Sequence, residues 1–220
     1  MADIFREIDE DVRRDKAIEF WKKHGNLVIA IAVLAVGATA AWRGWEYWQG
    51  KKAEVAGAQY ETAIEAARAG RTEDAEKALA DIAKDAPRGY EMLARLRAAG
   101  ELAKGDGAAA VKAYDSIVAD TGFPAPMRDA ARLRAAMLVV DTASLADLKT
   151  RLDPLTGAGS VWAANAREML GLAALKAGDY PAAGKYFDEI IVDRTAPPGL
   201  RQRAELLLGI VRAGPIKPAS

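Results

Sequence analysis

Cysteine is absent from the 220 residues. That excludes disulfides, thiolate metal sites, a cysteine nucleophile and anchoring through an acylated N-terminal cysteine. Histidine occurs once, at His24, which removes the commonest general base and metal ligand from the rest of the chain. Serine is scarce too: Ser116, Ser144, Ser160 and Ser220 have no histidine in their part of the chain. Gly105-Asp106-Gly107 reads as a turn, because no Gly-Lys-Ser/Thr follows a glycine-rich loop. The carboxylates Asp188, Glu189 and Asp193 read as a solvated helix face. No catalytic residue, cofactor or metal is expected. A surplus of either charge is also missing, with 31 Lys+Arg against 31 Asp+Glu. Nucleic-acid affinity comes mainly from surplus cations facing phosphates, so no nucleic-acid partner is expected.

What is abundant is alanine, with 49 residues against 12 Val, 12 Ile and 8 Thr. Alanine is the best helix former and β-branched residues favour strands, so the fold class reads as all-α. Hydrophobic residues make up 51%, enough to bury a core.

Gly25 to Trp42 contains no charged residue. As a helix this run is roughly 27 Å long, close to the thickness of a hydrocarbon core. Phe20 and Trp21 precede it, and Trp42, Trp45, Tyr47 and Trp48 follow. Amphipathic rings of this kind sit at membrane borders, so Trp21, Trp42, Trp45 and Trp48 are read as the anchor border of a single transmembrane helix. Ala38-Thr39-Ala40 resembles a signal-peptidase site, yet the segment before the run is long and carries seven acids beside six Lys/Arg. A secretory n-region is short and basic, so an uncleaved span is expected. The small residues of AVGATAA either let another span pack closely or simply fill an Ala-rich helix. Lys and Arg number five over residues 10–24 and three over residues 43–57, which favours a cytoplasmic N-terminus and an exported C-terminal part. Ile4, Phe5, Ile8 and Val12 lie at helical spacing ahead of the span, as a stripe that either lies on the membrane or docks on a partner.

From residue 50 the pattern is helical and interrupted at intervals. Gly70, Gly105 and Gly178 each close one apolar-periodic run, as a glycine in the left-handed conformation does. Positions five, nine and twelve residues beyond them match in class: Ala75, Leu79, Ile82; Ala110, Tyr114, Ile117; and Ala183, Phe187, Ile190. Seven residues before each lies a small one, Ala63, Ala98 or Gly171, which lets two helix axes approach while the large residue fills the groove beside it. A degenerate copy turns at Ala143, with Leu148, Leu152 and Leu155 after it and Ala136 before. Asp153-Pro154 should shorten its second helix and leave Leu155 beyond the end. Pro87, Pro124 and Pro197 should stop the second helices. Spacings near 35 residues mark a helix-turn-helix solenoid, and a helix at about 200–212, with Gly209 placed like Gly171, suits a terminal cap.

Trp162 stands in a glycine-rich loop after Ser160, a candidate N-cap. It either packs beneath that loop or contacts a partner; Tyr60, Tyr90 and Tyr114 carry the same two readings. The organisation read from the sequence is therefore a cytoplasmic amphipathic segment at 1–24, a span with its aromatic border at 25–48, a helical-hairpin domain at 50–214 and a frayed tail at 215–220.

Leu170-Gly171, Gly178-Asp179-Tyr180, Ala183 and Phe187 resemble a tetratricopeptide repeat, whereas the first two copies carry Thr62-Ala63 and Arg97-Ala98 in place of Leu-Gly. With the N-terminal segment IFREIDEDVRRDKAIEFWKKHGN, the border AWRGWEYW and the ending PPGLRQRAELLLG, the whole arrangement resembles the YfgM-type ancillary SecYEG translocon subunits. That resemblance implies a bacterial inner-membrane protein with a periplasmic repeat domain. It further implies that Sec translocon subunits, the prolyl isomerase PpiD and secreted polypeptides are its partners, and that it acts on the latter as a holdase-like helper. A membrane-tethered binding module and an envelope scaffold without client binding are the two function classes left by the residues themselves.

Overall fold

The computed structural model describes residues 2–157 and 159–214; the side chains of 2–13, 15 and 17 are also outside the description. The expected tail at 215–220, the stripe Ile4, Phe5, Ile8 and Val12, and Ala158 of the glycine-rich loop thus lie outside the described residues. Among the described residues there are nine α-helices, one short 3-10 helix and no strand. The helices are α1 (Ala2–Arg68), α2 (Thr72–Asp85), α3 (Arg88–Leu102), α4 (Gly107–Ala119), α5 (Ala125–Val139), α6 (Leu145–Leu152), α7 (Ala163–Lys176), α8 (Tyr180–Val192) and α9 (Pro198–Ala213). The chain divides into two compact units between Val55 and Ala56.

In the first unit, α1 carries the apolar run without interruption by proline or a capping residue. An 18-residue window here reaches a mean hydropathy of 1.9, and only 6% of that window is buried. Leu34 and Val36 are 72% and 70% exposed. A water-soluble helix exposing Leu27, Ile29, Ile31 and Val33 all round would have no stabilising apolar partner; a bilayer supplies one. Among the described residues this is the one helix long and apolar enough to cross a membrane.

The second unit is built from hairpins. The three positions at five, nine and twelve residues past each turn are buried in every copy, from Ala75, Leu79 and Ile82 through Leu148, Leu152 and Leu155. Spacings of four and three residues put each trio on one helix face. Burying each Leu, Ile or Phe of these trios contributes about 1.5–3 kcal/mol. In the fourth hairpin the Phe187 ring lies on Gly171: a Cβ there would meet ring carbon Cε1 at 2.5 Å. Ala164, Ala174, Ala183, Ile190 and Leu200 enclose the rest of that ring's cluster. The third hairpin is short. Helix α6 stops at Leu152, and Asp153–Leu155 continues as the 3-10 helix that delivers Leu155, fully buried, to the core.

The turns divide into two kinds. Gly70 and Gly178 adopt φ of 75° and 77°. After each, the next amide donates five residues back, from Arg71 to the Ala66 carbonyl and from Asp179 to the Ala174 carbonyl, which closes a Schellman motif. Gly105 departs from expectation, since it is not left-handed. Three residues rather than two separate α3 from its successor's cap, and the Asp106 amide donates four residues back to Leu102. Helix α3 ends earlier relative to its core position, so the buried small residue lies seven residues before the cap Asp106, against eight before Arg71 and Asp179. Ala99, not Ala98, is the fully buried small residue, and Ala98 is half-buried. Leu170-Gly171 therefore corresponds to Ala98-Ala99 in the second copy. At the third turn the Ala143 amide likewise donates four residues back, to Val139.

The reading of the prolines as helix stops holds at Pro87, which directly follows the extended C-cap Ala86 of α2, but not at Pro124 and Pro197. Pro87, Pro124 and Pro197 are the N-caps of α3, α5 and α9, with φ near −54° and ψ near 140–147° in each case. They launch the following helix, and α4 and α8 have already ended at Ala119 and Val192. Asp106, Ser144 and Asp179 cap the second helices by accepting the amides of Ala109, Asp147 and Ala182.

Helix α9 is the last described helix. On α7, the positions facing α8 are Ala164, Arg167, Gly171 and Ala174. Aligning Gly209 with Gly171 places Gln202, Glu205, Gly209 and Arg212 on the corresponding face, and all four are exposed. Leu200, Ala204 and Leu208 keep the opposite face buried. Leu206 and Ile210 flank that face and are exposed, at 74% and 53%.

Candidate functional site

At the ends of the apolar run the rings stand exposed. Trp21 is 56% exposed, and Trp42, Trp45 and Trp48 are between 52% and 65% exposed. Trp42 and Trp45, three residues apart, tilt against each other with centroids 6.0 Å apart. One turn on, the Lys52 ammonium lies 3.7 Å from the Trp48 ring. Apolar rings with a cation at their outer edge match the chemistry of a membrane–water border. His24 is half-buried beside Phe20, its ring centroid 5.1 Å away.

The candidate partner residues of the repeat unit part company. Tyr114 is 2% exposed within the second hairpin's core and offers no surface to a partner. Tyr90 is half-buried and packs with Tyr60 at a centroid distance of 6.4 Å, its phenol set close over Gly57. Trp162 is half-buried against the Leu148, Leu152 and Leu155 cluster. It, rather than Ser160, occupies the N-cap position of α7, and the Ser160 hydroxyl accepts the Trp162 amide at 3.2 Å. The packing residues Ala75, Ala110, Gly171 and Ala183 are buried, as is Phe187, while Gly178 serves the turn.

A device invisible to the hydrophobic pattern recurs in the second and fourth hairpins. The first helix carries an arginine that reaches the C-cap aspartate of the second: Arg95 to Asp120 at 2.7 Å, and Arg167 to Asp193 at 3.2 Å. Each aspartate also accepts a backbone amide two residues on, from Gly122 or Thr195. The Arg95 hydrogen bond, then the Gly122 amide, hold the Asp120 carboxyl below the usual range. For Asp193 the Thr195 hydroxyl is the largest cause, followed by its amide. These clasps pin the return loops, which fold Phe123 and Ala196 back into the core. Other pairs join successive hairpins. Arg203 of α9 binds Glu168 of α7 at 2.8 Å, and Arg151 of α6 binds Asp115 of α4. In both cases the carboxylate hydrogen bond raises the arginine's affinity for its proton.

Beside the Arg167 clasp lies a cleft of about 720 Å³, with Ala163, Ala164 and Ala196 among its lining and Val161 and Val192 at its edge. Those two valines are 81% and 76% exposed. Sequence reasoning missed this feature, because exposed valines carry no periodic signal that separates them from core positions. Among the described residues, no group of acidic or histidine side chains is arranged to hold a metal ion.

Comparison with known proteins matches residues 18–196 to the family described as tetratricopeptide repeat-like domain, a region that contains the apolar run as well as four hairpins. No curated protein and no solved structure matches. Matched over most of its length and folded as successive helical hairpins, the chain belongs to the tetratricopeptide repeat-like domain family.

Proposed function

We propose that this protein is a membrane-anchored interaction module that works beside the bacterial secretion channel, with its N-terminus in the cytoplasm and its repeat unit in the periplasm. The fold itself is that of protein-interaction modules. The observation that carries the anchoring is the bare apolar window of α1, 6% buried and flanked by exposed tryptophans. Five Lys/Arg before the span against three after it support the orientation.

The resemblance to YfgM-type translocon subunits supplies the partners: Sec translocon subunits, a PpiD-like prolyl isomerase and emerging secreted polypeptides, held rather than chemically altered. Tethering beside the channel raises the effective concentration of weak contacts, so modest affinity for clients suffices. Photo-crosslinkers placed along the span and the repeat unit in native membranes test this reading. Capture of translocon subunits and secreted chains is the expected result. Capture of folded envelope proteins alone replaces it with the scaffold, and a reporter after residue 220 that is active only in the cytoplasm overturns the orientation.

A further inference from the structure

The two large apolar side chains most exposed in the repeat unit, Val161 and Val192, edge the same cleft. They come from different segments. Val161 precedes α7 in the glycine-rich loop, and Val192 is the last residue of α8. Single exposed valines need no explanation, but two converging on one concavity form a small apolar mouth. Its volume lies within the range of clefts that enclose ligands. Ala163, Ala164 and Ala196 line it and are 4–5% exposed, so the space exists because the side chains there are short.

The charges lining the cleft are Arg167, Glu189 and Asp193. Arg167 is committed: it pairs with both carboxylates at 3.2 Å and donates to the Thr156 carbonyl at 2.9 Å. Two carboxylates against one cation leave a net negative charge at the mouth. Glu189 keeps 39% of its side chain exposed, and the neighbouring Asp188 pairs with no cation among the described residues. The mouth is therefore apolar at its edge and acidic along one side.

We propose that this cleft is the polypeptide-binding site of the module, and that it takes an extended segment bearing an aliphatic side chain next to a lysine or arginine. The aliphatic group lies between Val161 and Val192, and the cation beside Glu189 and Asp188. A second groove, between α8 and α9, shares Val192 and Glu189 with the cleft and gives the segment room to continue along α8, where Asp188 lines it together with Lys185 and Arg212. This inference rests on the client-binding part of the proposed function.

The test uses the full chain in detergent and a fluorescently labelled ten-residue peptide with a central Val-Lys flanked by Ala, Ser and Leu, against its Val-Glu counterpart. The lysine peptide should bind several-fold more tightly at low salt, with the difference shrinking as salt rises. Val192→Lys and Val161→Lys alter exposed positions, and each should weaken the lysine peptide roughly tenfold with unchanged helicity and melting temperature. Asp188→Lys should narrow or reverse the preference between the two peptides. Wild-type affinity in both valine variants, or equal binding of the two peptides, overturns the cleft. If those results come while a reduced, unfolded reporter protein still binds the wild-type chain, the cleft alone is wrong; if the reporter does not bind either, client binding falls with it.

Discussion

Replacing Gly171 with alanine adds one methyl group where the Phe187 ring already sits. The new Cβ would lie 2.5, 2.8 and 3.0 Å from three ring carbons, closer than packed carbons approach. The ring is fully buried among Ala164, Ala183, Ile190 and Leu200, so it cannot swing aside freely. Overpacking of this kind costs about 1–3 kcal/mol. Against it stands the higher helix propensity of alanine, about 1 kcal/mol. Gly209 provides the control, because it occupies the matching place on α9 and a Cβ there meets nothing within 4 Å. Gly209→Ala should collect the propensity gain alone. The two variants should then differ by roughly 1–3 kcal/mol, or a few degrees or more in melting temperature for a chain of this size. Urea and thermal unfolding of the full chain in mild detergent, followed by circular dichroism, measure the difference. Adding Phe187→Leu should recover part of the loss in the Gly171→Ala background, a favourable coupling absent from the Gly209→Ala background. Equal stabilisation by both glycine replacements would refute the packing argument.

The turns respond according to backbone conformation: Gly178→Ala, at φ 77°, should cost about 1–2 kcal/mol, whereas Gly105→Ala should stay within about 0.5 kcal/mol in the same unfolding assay. Asp120 has a folded-state pKa below its unfolded value of roughly 3.9, so its contribution is present above that pH and lost as pH falls through the lower folded value. Asp120→Asn should therefore lower the urea midpoint at neutral pH and flatten its fall below about pH 4; an unchanged acid limb would contradict the clasp. Leu34→Arg places a charge near the middle of the apolar run at a cost of about 2.5–3.5 kcal/mol, and alkaline extraction of membranes should release a larger fraction of that variant than of wild type.

The sequence pattern reached the hairpin cores because burial and periodicity are the same physical statement there. A trio such as Ala183, Phe187 and Ile190 is apolar because it is covered, and its spacing is the spacing of a helix face. Turns were less legible. Gly70, Gly105 and Gly178 look alike in the chain, yet the second lies in a three-residue connection where the backbone needs no positive φ. The buried small residue of α3 is Ala99 rather than Ala98, and alanine beside alanine gives no sign of the exchange. Pro124 and Pro197 misled for a related reason. A residue that cannot continue one helix is also well suited to start the next, and only the length of the connection decides which role it takes.

Interaction surfaces obey no such identity between pattern and burial. Val192 follows Ile190 and Ile191 in an apolar run, so its hydropathy alone assigns it to the core; it is exposed because α8 ends there. Tyr114 shows the converse, an amphipathic ring that resembles a contact residue but occupies the place of Phe187 and Leu152 in its own hairpin. In a repeat protein each copy provides the check for the others. A residue whose equivalents are buried everywhere is held by packing, as Tyr114 is. Val192 sits two residues beyond the last such position, where each copy is free to differ: the second hairpin has Ala119 there, next to a clasp of the same Arg–Asp type. Conserving the clasp while changing the residue beside it separates what holds the loop from what faces outward, and a surface for partners can vary only at positions of the second kind.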